Sequence, residues 1–122
     1  MLRHLPGKRV LIVEDNPVLA YDIDDLMKDV GAITVGPALD LHSGLKMARE
    51  NGLDAALLDI DLGGEYVWPL ARELRGHRVP TIFISAECTE RDFPEEFRGE
   101  KCLDKPAIRE QILQSLAEAI SR

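Results

Sequence analysis

At 122 residues, with 45% hydrophobic and 30% charged side chains, the chain has the make-up of one globular domain with a single core. Its formal net charge of −7 excludes the clustered basic surface that nucleic acid needs. There is no run of about 18 apolar residues for a membrane span, and the opening MLRHLPGKR lacks the apolar stretch of a signal peptide, so a cytoplasmic protein is expected.

Short β-rich runs alternate with helical patterns along the chain. Residues 9–14 (RVLIVE) form a continuous apolar run closed by acids, as a strand buried on both faces does. After Asn16-Pro17 the apolar positions become Leu19, Ile23, Leu26 and Val30, a helical stripe ended by Gly31. Residues 32–35 (AITV) are a second strand, stopped by Gly36-Pro37. Asp40 then caps a helix with Leu41, Leu45 and Ala48 inward, ended by Asn51-Gly52. Residues 54–58 (DAALL) are a third strand leading into Asp59. Pro69 suits the first turn of the next helix, with Leu70, Ala71 and Leu74 inward. Residues 81–85 (TIFIS) are the clearest β run. Residues 86–99 are polar and carry Pro94 and Gly99, so any helix there is short or broken. Cys102-Leu103 is a brief fifth strand, and Pro106 opens a last helix striped by Ile108, Ile112, Leu116 and Ala119.

Five βα units with continuous apolar strands specify a doubly wound α/β fold: a five-stranded parallel sheet, order 2-1-3-4-5, with helices on both faces, flavodoxin-like. His4, His42 and His77 are scattered singly and offer no metal spacing. Cys88 and Cys102 have no metal-ligand spacing either and are expected as reduced thiols, with Cys102 inert in packing.

In open α/β sheets, ligands bind beyond the carboxyl ends of the strands. Those ends here carry Glu14-Asp15, Asp59, Ser85 and Asp104-Lys105-Pro106, and neighbouring strands 1 and 3 bring three carboxylates together. Each feature alone is ordinary, since acids commonly start loops and Lys-Pro commonly makes a turn; their joint placement at four strand ends is the signal. Three like charges must take up a proton or hold a cation, and oxygen ligands alone select a hard ion, Mg²⁺ first. A carboxylate beside Mg²⁺ and a lysine is set for phosphoryl transfer, as nucleophile in forming an aspartyl phosphate.

Taken together, VLIVEDN, LLDIDL, IFISA and LDKPA resemble the receiver domain of bacterial two-component response regulators over essentially the whole chain. The resemblance implies that Asp59 accepts a phosphoryl group from a histidine kinase or histidine phosphotransfer protein, with Mg²⁺ (or Mn²⁺) required. It implies Asp15 as direct metal ligand, Glu14 in support, and Asp61 through its backbone carbonyl. Lys105 and Ser85 would contact the phosphoryl group, and Lys105-Pro106 would be cis. The chain is then expected to be a single receiver domain, residues 1–122, without an output domain. It would catalyse its own phosphorylation and dephosphorylation but not be an enzyme, and would signal by protein contact or phosphorelay. Cys102 stands where receivers carry an aromatic residue, which puts the usual link from Ser85 to the output face in doubt. Asp61 and Glu87, two positions after the acceptor and the serine, are candidates for tuning the life of the phosphate. Trp68 is assigned to packing or an interface.

Three rivals remain. A haloacid-dehalogenase-like phosphatase would use Asp59 as nucleophile and Asp61 as acid/base. A flavodoxin-like cofactor binder would need a phosphate loop that Glu14-Asp15 repels. A receiver fold without phosphorylation would act only as an interaction module.

Overall fold

A computed structural model describes residues 5–49, 52–86, 88–89 and 93–121. The elements run β1 (Arg9–Val13), α1 (Pro17–Asp29), β2 (Ile33–Ala38), α2 (Leu41–Ala48), β3 (Ala55–Asp59), β4 (Asp61–Leu62), β5 (Glu65–Tyr66), α3 (Trp68–Gly76), β6 (Thr81–Ser85), β7 (Cys102–Asp104) and α4 (Arg109–Ile120). The main sheet is parallel, in the order β2-β1-β3-β6-β7. Every residue of β3 is buried, the mark of a central strand covered on both faces. None of the described helices is long and apolar enough to cross a membrane.

The alternation of side chains along each strand divides the interior in two. Leu11, Val13, Leu58 and Phe83 face α2 and α3, with Leu70 and Leu74. Val10, Ile12, Leu57 and Ile82 face α1 and α4, with Met27 and Leu116. Helix starts follow local chemistry. Asn16 Oδ1 accepts from the Val18 and Leu19 N–H groups at 2.9 and 3.3 Å, with Pro17 as the first helical residue. Asp40 Oδ1 accepts from Ser43 N–H at 2.7 Å.

Several local expectations are corrected. The buried face of α1 is Ala20, Asp24, Leu26 and Met27, and Leu19 is exposed. Ile108 precedes α4 and is exposed rather than striping it. Gly36-Pro37 does not stop β2, which continues to Ala38 across a register shift. Gly36 permits this with φ +100°, where an added Cβ would sit 2.7 Å from Ala38 N and 3.1 Å from Ile12 O. Both Gly36-Pro37 and Lys105-Pro106 are cis. After β3 the chain forms a two-stranded antiparallel hairpin, β4–β5, that the apolar pattern did not announce.

The segment between β6 and β7 holds no α-helix among the described residues, only a 3-10 turn at Glu95–Phe97. Its proline-broken pattern allowed no long helix, and α3 holds the turn instead. Phe97 is buried and stacks on Trp68, with ring centres 5.6 Å apart. Arg75 lies 4.7 Å over the Phe97 ring, donates to the Glu96 carbonyl at 2.9 Å and pairs with Glu100 at 2.7 Å. The contribution is mainly apolar burial, because the ion pairs are solvent-exposed. Phe97→Ala is therefore expected to cost about 3 kcal/mol in urea unfolding, and Glu100→Ala less than about 1 kcal/mol.

Candidate functional site

The first acidic pair is presented by the way β1 hands over to α1. Glu14 N–H donates to the Ala38 carbonyl at 3.0 Å, keeping Glu14 in the sheet, and its Oε2 accepts from Asn16 N–H at 3.0 Å. Glu14 is thereby buried, whereas Asp15 turns outward and is exposed. Asp59, the last residue of β3, is buried beside them. Glu14, Asp15 and Asp59 each place a carboxylate oxygen within 4.8 Å of the others.

Lys105, delivered by β7, answers this charge. Its Nζ lies 2.9 Å from Glu14 Oε1 and 3.2 Å from Asp59 Oδ2. The Lys105 N–H donates to the Ser85 carbonyl at 2.9 Å, and Ser85 pairs with Asp104, so the β6 and β7 exits are level. One ammonium against three carboxylates leaves the cluster negative. Burial, the most important cause, and the neighbouring Glu14 charge push Asp59 up to about 7, against the pull of Lys105. Burial also pushes Asp15 upward, but hydrogen bonding with Glu14 and Asp59 and the Lys105 charge hold it below its ordinary value. Lys105 loses solvation too, yet its bond to Glu14 and the two acids' charges keep its pKa above the ordinary value.

A cleft of about 480 Å³ opens over this cluster, lined by Asp15, Asp59, Asp61, Ser85 and Lys105. The strand ends singled out from the sequence thus converge on one space. Glu14 reaches it through Lys105 and the carboxylate cluster. Asp61 lies in the hairpin, where its Oδ1 accepts from Gly64 N–H at 2.9 Å and shapes the turn. Glu87 lies outside the described residues.

Two features differ from expectation. Trp68 packs, as anticipated, but it also lines the cleft with Tyr66 and Phe93. Its ring centre is 5.5 Å from Phe83 and 5.1 Å from Phe93. The sequence signal was the aromatic pair Tyr66/Trp68 so soon after Asp59. Cys88 and Cys102 are not reduced thiols: they form a disulfide, Cα–Cα 5.7 Å, between residues 14 apart. Parallel pairing of β7 with β6 sets Cys102 opposite Phe83, beside the chain leaving Ser85. Compartment-based reasoning has no access to that proximity. Cys102 packs, half-buried, against the half-core that contains Trp68, Phe83, Phe93 and Phe97.

The description "Response regulator receiver domain" matches residues 10–117. The transcriptional regulatory protein PdtaR of Mycobacterium tuberculosis is 25% identical over 118 residues, 94% of this chain and 58% of that protein. The phyllosphere-induced regulator PhyR of Methylorubrum extorquens is 31% identical over 91 residues, 72% of this chain and 32% of that protein. The chain therefore spans only about a third to three-fifths of these relatives' lengths. Among solved structures, the receiver domain of sensor histidine kinase PA1611 from Pseudomonas aeruginosa superposes with TM-score 0.82 at 27% identity, over 95% of this chain and 99% of that one. That structure has a magnesium ion coordinated in its active site cleft.

The raised Asp59 pKa has a measurable consequence. A proton is bound more tightly in the folded than in the unfolded metal-free protein, so stability falls as pH rises from about 4 to about 7. Asp59→Asn removes that loss. In urea unfolding without metal, the variant should exceed wild type by about 2 kcal/mol at pH 8, with the gain fading towards pH 4.

Proposed function

The chain belongs to the response regulator receiver domain family, and we propose that it is the phospho-accepting element of a two-component pathway, with Asp59 as acceptor. The observation that carries this is the buried Asp59 carboxylate, flanked by Glu14 and Asp15 and tied to Lys105 at the mouth of a cleft. An Asp59 oxygen attacks the donor's phosphorus, and the bond from phosphorus to the donor nitrogen breaks as the Asp59–phosphate bond forms. Lys105, which pairs with Asp59 beforehand, then faces a phosphoryl oxygen, and Ser85 at the β6 exit donates its hydroxyl to another.

The donor set suits a hard divalent cation: three carboxylates close together, no thiolate or imidazole, and more negative charge than Lys105 neutralises. Asp15 and Asp59 would hold Mg²⁺ (Mn²⁺ suits the same oxygens), with Glu14 in support and the Asp61 backbone carbonyl as a further ligand. Held there, the ion would supply charge neutralisation for the transferring phosphoryl group. The partners are a histidine kinase or histidine phosphotransfer protein upstream and a protein target downstream, with this chain in the cytoplasm and residues 1–122 acting as one receiver unit.

The phosphatase reading is not favoured: the receiver family model matches residues 10–117, and Lys105 and Glu14 flank Asp59. Asp61 remains on the cleft wall and tunes how long the phosphate persists, by orienting water; Glu87 is proposed for the same task on sequence grounds.

Incubation with acetyl phosphate and Mg²⁺, followed by intact mass, should show one added phosphate on wild type and none on Asp59→Asn. Steady turnover of a phosphomonoester would instead support the phosphatase. Because Asp59 must lose its proton to bind metal, apparent Mg²⁺ affinity, read by calorimetry, should tighten severalfold from pH 6 to pH 8. Asp61→Ala should slow loss of the phosphate by about threefold or more; an unchanged rate would remove Asp61 from the timing role.

A further inference from the structure

We propose that the Cys88–Cys102 pair is a reversible thiol–disulfide site that sets the reactivity of the phosphoryl cleft, with a dithiol reductant as its chemical partner; this rests on the acceptor reading above. Cys88 stands three residues after Ser85, and Cys102 three residues before Lys105. The bridge therefore fastens the chain leaving the β6 exit to the first residue of β7, the strand whose exit delivers the ammonium to the same cleft as the Ser85 hydroxyl. Further contacts run between the same two exits. Cys88 N–H donates to Asp104 Oδ1 at 3.3 Å, and Lys105 N–H donates to the Ser85 carbonyl at 2.9 Å. Cys88 Sγ itself lies 3.9 Å from that carbonyl oxygen.

With the bridge closed, the chain leaving Ser85 is fastened to β7. The geometry between Ser85 and Lys105 is then fixed before a phosphoryl group arrives, and less ordering remains to be done on binding. With the bridge open, the covalent fastening is lost while the hydrogen bonds remain. The oxidised form is thus the better phosphoryl acceptor. Cytoplasmic disulfides are usually transient and redox-sensing rather than permanent, so the bridge suits a device and not only a staple.

The chemistry balances with a dithiol. Both cysteines are half-buried, and Cys88, in a turn flanked by exposed Ala86 and Thr89 rather than in a strand, offers the sulfur that is attacked. A reductant thiolate bonds to it, and the Cys88–Cys102 bond breaks with Cys102 leaving as thiolate and taking up a proton. The reductant's second thiolate then attacks its own sulfur in the mixed disulfide, releasing Cys88, which is protonated in turn. Two electrons pass to the protein pair, and the reductant departs as its disulfide.

The test uses purified wild type, oxidised or treated with dithiothreitol, and Cys88→Ser under both conditions. Alkylation and intact mass across dithiothreitol redox buffers count the thiols, circular dichroism monitors the fold, and uptake of phosphate from acetyl phosphate with Mg²⁺ gives the rate. The expected result is a folded protein in both states, with oxidised wild type phosphorylated roughly three- to tenfold faster than reduced, the ratio that ordering one or two side chains carries. Cys88→Ser should match reduced wild type and ignore dithiothreitol. Equal rates in both states overturn the coupling while leaving the acceptor reading intact. Two free thiols under oxidising conditions, or loss of the fold on reduction, overturn the redox site. No uptake in any state overturns the acceptor reading, and this proposal with it.

Discussion

The site depends on one electrostatic problem: two acids, Glu14 and Asp59, are buried side by side where water screens them poorly. In an ordinary core such a pair would not persist without compensation, because desolvation disfavours both charges and each disfavours the other. Lys105 supplies part of that compensation, bonding to both. The remainder is left open, and the result is a carboxylate held near neutrality in its proton affinity. A group in that condition responds strongly to any new positive charge, and a strained electrostatic balance of this kind is what a switchable acceptor needs.

The scaffold's task is to bring four chain segments to one edge at the right height. Parallel strands do this economically, because all their carboxyl ends lie on the same side of the sheet. The registers Val13↔Leu58, Asp59↔Ile84 and Ser85↔Asp104 set the strand exits alongside one another. The caps at Asn16 and the bulge at Gly36 then turn the chain away without removing Glu14 from the sheet. Stability is thus spread through two half-cores, while the reactive groups occupy the rim between them.

The parallel sheet and the strand-end carboxylates were legible because period and polarity carry them: continuous apolar runs, all but the second leading into acids, a serine or a lysine. Features set by very short pairings, by turn geometry or by contacts between distant residues were not. The β4–β5 hairpin depends on two glycines at positive φ and a two-residue pairing, too short for any pattern to announce. Continuation of β2 through Gly36-Pro37 is a bulge, and turn chemistry reads there as a stop. The disulfide joins residues that only the β6–β7 pairing makes neighbours. Trp68 read as packing or an interface because it is a lone tryptophan near a helix start; that its packing also forms a cleft wall is a property of the assembled fold.

The aromatic side chains are distributed unevenly. All three phenylalanines and the sole tryptophan belong to the half-core under α2 and α3, and the other half-core is aliphatic. Trp68 touches each phenylalanine and borders the cleft. The molecule consequently carries a built-in optical gauge. Indole emission reports on the cleft over Asp59 and on the anchoring of the 3-10 turn through one chromophore, and events confined to the α1–α4 side leave that emission unchanged.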